Sequence, residues 1–184
     1  MQPSLYSILC SLFHHLVIYY PSQTQYHQHL RSINETILPR GSDAFLWLSS
    51  LVKALRMRNY AKLAILGNNS RISYVISQGQ KSTNSPIVSF NLAHDAVLRI
   101  LDALRQNAAE TAWGIIRSAY RELWTDEAGE ITSTWLVRSL SLESVHGGDR
   151  TIGVLEWLEG KAAVGHVRKK GGQSRWIVCK TRQS

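Results

Sequence analysis

The sequence predicts a mainly α fold: a stack of helical repeats over residues 1–124, ending in a C-terminal winged-helix subdomain with a small β-sheet over residues 125–184. Three observations predict it. First, a short strand candidate, Glu130-Ile131-Thr132, precedes two compact helix candidates, Ser133–Leu142 and Asp149–Leu158. Second, a hairpin candidate closes the chain, with arms Ala162–Arg168 and Ser174–Thr181 around a turn over residues 169–173. In that second arm Trp176 and Val178 alternate with Ile177 and Cys179 beside Gly171-Gly172, as in a two-stranded hairpin with one face inward. Third, almost everything upstream repeats apolar residues at helical spacing, in short segments joined by short turns.

Taken in order, Leu5–Tyr20 places Leu5, Ile8, Leu9, Leu12, Phe13, Leu16 and Val17 at helical spacing. It is shorter than a bilayer span, is interrupted by His14 and His15, and lacks the basic start and small-residue cleavage site of a signal peptide. The segment after Pro21 carries Tyr26, Leu30, Ile33 and Ile37, compatible with a second helix ending before Pro39. Ser42 is an N-cap candidate for a helix from Asp43 to about Arg58, with Phe45, Leu48, Val52 and Leu55 on one face. Short helices follow over Tyr60–Leu66, stopping at Gly67, and over Ser70–Gln78, stopping at Gly79. After a loop, Ser85-Pro86 signals a helix from Ile87 to about Gln106, and a separate helix is expected over Ala108–Leu123.

Composition bounds the function. A chain of 184 residues with 44% hydrophobic content and six tryptophans buries a sizeable core, so it is not a disordered segment. A net charge of +8 favours an anionic partner: nucleic acid, an acidic protein or a phospholipid surface. Cys10 and Cys179 are far apart in apolar surroundings and read as core thiols, not as a disulfide.

No constellation for catalysis stands up, and the chain reads as a non-enzyme without cofactor, metal or small-molecule substrate. His14-His15 and His27-x-His29 lack the further ligands that a tetrahedral metal site needs. His94 and Asp95 are neighbours on a helix, where adjacent side chains diverge. The pairs Gly147-Gly148 and Gly171-Gly172 have no P-loop lysine and spacing, and read as turns.

The sharpest feature is the basic wing. Lys161, Arg168, Lys169, Lys170, Arg175, Lys180 and Arg182 follow one another with no acid in that stretch. Arg168, Lys169, Lys170, Arg175, Lys180 and Arg182 are the candidate nucleic-acid-binding residues, because cations on a hairpin can contact phosphates without reading bases. The alternative is an edge hairpin kept soluble by lysines. Trp176 is read as core, with stacking on a base as its alternative. Glu156 and Glu159 on the second helix would meet phosphate repulsion in a major groove, which speaks against sequence-specific duplex reading.

A second basic patch, Lys53, Arg56, Arg58 and Lys62, overlaps a more informative text. The stretch Leu51–Leu66 resembles the helical hairpin of the GANP family (germinal-centre-associated nuclear protein and its yeast counterparts). There a helix ends in a pattern like ALxxGNYxxFFxL, and Ala54-Leu55, Asn59-Tyr60 and Leu63 occupy matching places. Trp113–Glu122, Ile131 and Trp135–Leu140 resemble the passage of that family's helical stack into its winged helix. The resemblance spans roughly Phe45 to Ile177. It departs at Leu63-Ala64, where the pattern has two aromatics, and most of the family's upstream helices have no counterpart.

The resemblance implies a right-handed helical-repeat (PCI-like) stack with a terminal winged helix, in a scaffold subunit of a nuclear mRNA-export or transcription-coupled RNA-processing complex. It implies a PCI-type partner subunit, a small acidic subunit, and an RNA or DNA backbone as partners, with a nuclear or nuclear-pore location and no membrane. Two other readings stay open. One is a structural PCI subunit of a proteasome-lid, signalosome or initiation-factor assembly without nucleic acid. The other is a winged-helix regulator that binds DNA.

Overall fold

A computed structural model of the chain describes residues 4–68, 71–74, 87–125, 130–140, 142, 153–170 and 175–180. Helix α1 (Leu5–Ile18) begins where the Ser4 side chain accepts from the Ser7 N–H at 3.2 Å, satisfying one orphan donor of the first turn. Helix α2 (Thr24–Ser32) stops short of the expected run to Pro39. The cause is local: Ile33 is extended, and the Asn34 side chain accepts from the Thr36 N–H at 2.9 Å, a turn that competes with helix.

Helices α3 (Asp43–Arg56) and α4 (Tyr60–Leu66) form a hairpin with side-chain caps from Ser42 and Asn59. Residues 71–74 are helical, and the rest of the helix expected over Ser70–Gln78 lies outside the described residues, as does Ser85-Pro86. The two helices expected over Ile87–Gln106 and Ala108–Leu123 are one helix, α5 (Ile87–Ala119), of 33 residues. Asn107 does not break it, because Ala108, Ala109 and Ala112 sustain the helix and are buried. The Asn107 side chain instead points across to α1 and donates to the Val17 carbonyl at 3.0 Å.

Helix α5 ends at Ala119, which frees Glu122–Trp124 to form strand β1. Helices α6 (Glu130–Leu140) and α7 (Val154–Ala163) and strands β2 (Val167–Lys169) and β3 (Arg175–Val178) follow. The strand expected at Glu130-Ile131-Thr132 is therefore the first turn of α6. Its β-branched residues yield to a helical frame that buries Leu136 and Leu140 together. Helix α7 sits further on than the expected Asp149–Leu158, and Asp149 lies outside the described residues. Ala162 and Ala163 are helical, not hairpin, because Gly165, at φ 73°, is where the chain turns out of α7.

The sheet has the order β1-β3-β2, antiparallel throughout. It takes in residues 122–124, which a division at residue 125 leaves with the helices. The register puts Leu123, Trp176, Val167 and Val178 on the buried face, and Glu122, Trp124, Arg175, Ile177 and Arg168 on the other. One core runs through the described residues, from Leu9 and Phe13 of α1 through Trp47 of α3 to Trp113, Leu136, Leu158 and Trp176. Trp47 meets Phe13 edge-on at 5.6 Å and donates its indole N–H to the Leu66 carbonyl at 2.9 Å. That one side chain therefore ties α1, α3 and the end of α4, and burying it is worth roughly 2–3 kcal/mol.

Candidate nucleic-acid interface

The wing is built on β2 and β3, which place their cations by strand alternation. Arg168, Lys169 and Lys170 are exposed at the far end of the hairpin, and Lys180 is exposed just past β3. The connection over residues 171–174 and Arg182 lie outside the described residues. Trp176 is core: it is 1% exposed, and its indole N–H donates to the Thr125 hydroxyl at 3.1 Å. Lys169 Nζ lies 5.5 Å from the centre of that ring, so an exposed ammonium rests beside the lip of the core.

Arg175 behaves differently from its neighbours. Its guanidinium pairs with Glu122 diagonally across β1 and β3, with Nε donating to Oε2 at 2.8 Å and Nη2 closing on the same oxygen. The same group lies 4.8 Å over the Trp124 ring, which is 44% exposed. Lys161 is likewise engaged, paired with Glu110 and held 4.3 Å over Trp157. The linear sequence has no acid in this stretch, but the fold brings Glu110 of α5 and Glu122 of β1 to it. The wing cations without an ion pair among the described residues are thus Arg168, Lys169, Lys170 and Lys180.

A polar seam fixes the base of the wing to α5. Trp113 donates to His166 Nδ1 at 3.2 Å, and Arg117 donates twice to the Cys179 carbonyl, at 3.1 Å from Nε and 2.6 Å from Nη2. Burial holds the His166 imidazolium below its ordinary range, the cations Arg117 and Lys161 push the same way, and Glu110 opposes them. A neutral ring with Nδ1 free to accept is what the Trp113 contact requires. Glu110, Trp113, Arg117, Glu122 and Trp124 are residues that sequence reasoning missed. Their placement depends on α5 running unbroken and on β1 lying where a helix end was expected.

The remaining candidates fall elsewhere. Lys53, Arg56, Arg58 and Lys62 are all exposed around the α3–α4 turn. The His15 and His29 rings are 5.0 Å apart, and Ser11 hydrogen-bonds His29 Nε2 at 3.0 Å. Among the described residues no group of three or more His, Cys, Asp and Glu could hold a metal ion. Cys10 and Cys179 are free and half-buried, with burial raising the Cys10 thiol. No helix of the described residues is long and apolar enough to cross a membrane. In comparison with known proteins, no family model, no curated protein and no solved structure matches the chain.

Proposed function

We propose that the chain is a non-enzymatic scaffold subunit whose C-terminal part is a winged helix that touches nucleic-acid backbone with its wing. The observation that carries this is the order helix, strand, helix, helix, strand, strand with the sheet order β1-β3-β2, ending in a hairpin whose exposed end holds Arg168, Lys169 and Lys170. Three adjacent cations on a narrow hairpin suit phosphate contact, which needs charge and reach but no base-edge geometry. Glu156 and Glu159 are exposed on α7, so the helix that would enter a major groove is acidic on its free side. The wing, not that helix, is the contact.

The wider setting belongs to the same proposal: a right-handed PCI-like stack in a nuclear mRNA-export or RNA-processing assembly, paired with a PCI-type subunit and a small acidic one. It is supported by the α3–α4 hairpin, where Asn59-Tyr60 sits at the turn. The test is a salt titration of RNA and duplex DNA binding by the full chain and by R168E/K169E/K170E. Loss of three phosphate contacts should lower the slope of log affinity against log salt by roughly 2–3. The pairing of Arg175 with Glu122 and of Lys161 with Glu110 favours a second reading, a structural subunit without nucleic acid. An unchanged slope would select it.

A further inference from the structure

A groove of about 620 Å³ opens beside the α3–α4 turn, between α5 and α6. It stays open because Ala61 and Ala112 stand where larger side chains would fill it. Its walls are apolar and exposed: Met57 at 66%, Ile115 at 42% and Trp135 at 37%. Side chains of this kind normally sit under another element, so a contiguous exposed set of them marks a binding surface. Past Trp135 the apolar surface continues to Tyr120, whose ring lies 5.4 Å from that of Trp135, and to Trp124.

The rim is charged with one sign. Arg58 stands at one side and Arg138 at the other, both exposed, and no carboxylate of the described residues lines the groove. Arg58 is held there at a conformational cost, since its φ is 53°, a left-handed value that glycine adopts freely and arginine does not. We infer that this groove docks an acidic amphipathic helix of a partner protein, its apolar residues seated between Met57, Ile115 and Trp135 and its carboxylates on Arg58 and Arg138. The inference does not depend on the wing contacting nucleic acid.

The chemistry selects that occupant over the others. The described lining is helix and the α3–α4 turn, so no strand edge of it offers backbone pairing, and side chains must carry recognition. Single-stranded nucleic acid stacks on flat aromatic faces, but the floor and two of the walls are aliphatic and the lining Tyr60 is buried. A second copy of the chain brings its own charge of +8 to a rim that is already positive.

The full chain is panned against displayed random peptides of roughly 16 residues, four helical turns or more. The expected enrichment is for apolar residues at i, i+3 or i+4, and i+7 with a surplus of Asp and Glu. In fluorescence anisotropy the selected peptide should bind R58G/R138Q about tenfold more weakly. It should bind K53Q/K62Q, which removes the same charge outside the groove, like the parent chain. Met57 is on the surface, so M57E keeps the helical circular dichroism and should abolish binding by placing a carboxylate in the apolar wall. No enrichment, enrichment of neutral or basic sequences, or equal binding by M57E would overturn the inference. So would displacement of the peptide by oligouridylate, or a self-association of the chain that M57E removes, which would identify a strand of RNA or a second copy as the occupant.

Discussion

Two helices of this chain end in the same hydrogen-bonded knot, and one residue distinguishes them. At the end of α3 the Arg58 N–H donates to the Leu55 carbonyl at 3.1 Å and the Asn59 N–H to the Ala54 carbonyl at 2.8 Å. At the end of α7 the Gly165 N–H donates to Ala162 at 2.9 Å and the His166 N–H to Lys161 at 2.8 Å. Both are Schellman motifs, with the left-handed residue at φ 53° and 73° respectively. In each, the next residue also does a second task. Asn59 caps α4 by accepting from the Lys62 N–H at 3.0 Å, and His166 accepts from Trp113. The difference is that glycine takes the turn without strain, whereas Arg58 takes it against its own preference and thereby sets a cation on the rim of the groove.

Exchanging the two residues measures that strain. A Cβ added at Gly165 meets nothing within 4 Å, so G165R is a backbone effect alone and should destabilise by about 1–2 kcal/mol in urea unfolding. The reciprocal change, R58G, should stabilise by about 0.5–1 kcal/mol, because relief of strain exceeds the added freedom of the unfolded chain. The two caps share no hydrogen-bond partner among the described residues, so the effects should add, and the double variant should lie between the parent and about 1.5 kcal/mol below it. A neutral or destabilised R58G would mean that the arginine side chain makes up for its backbone, and the contrast between the two ends would vanish.

The same contrast shows what was legible in the sequence. At φ 53° Arg58 takes a backbone conformation that suits glycine. The sequence alone reads Arg58 only as one cation in a patch. Helices α1, α3 and α4 were readable from the apolar spacing of α1, the Ser42 cap of α3 and the stop at Gly67 after α4, whereas the caps from Ser4 and Asn59 are seen only in the fold. The continuity of α5 was not, since Asn107 resembles a break until its side chain is seen bound to Val17 across the core. Strand β1 was missed for a related reason. Glu122-Leu123-Trp124 is too short to show alternation, and only pairing with Arg175–Ile177 makes it a strand. In the candidate site the wing cations were legible by position, but their separation into groups with and without an ion pair depends on Glu110 and Glu122, distant in sequence.

The smallest expected effect belongs to the second tasks, and it tests whether the α7 end is the more pH-sensitive of the two. His166 has its pKa lowered by folding from the ordinary 6.5, first by burial and then by Arg117 and Lys161. A group whose protonation is disfavoured in the native state leaves stability intact above pH 6.5. It removes stability as pH falls below that value toward the folded pKa, because the unfolded chain then binds the proton more readily. Protonation also converts Nδ1 into a donor facing the Trp113 N–H, so the seam between α5 and the wing loses a bond as the charge appears. Asn59 has no proton to gain, so the α3 end should hold over the same range. H166N keeps an acceptor for Trp113 and removes the titration. Unfolding of the parent and of H166N should therefore diverge as pH falls below about 6.5, the parent losing more. The slope left in H166N includes that of His29, lowered by burial and by His15, between α1 and α2. Parallel curves for the two proteins would move the pH sensitivity away from the wing and onto that helix pair.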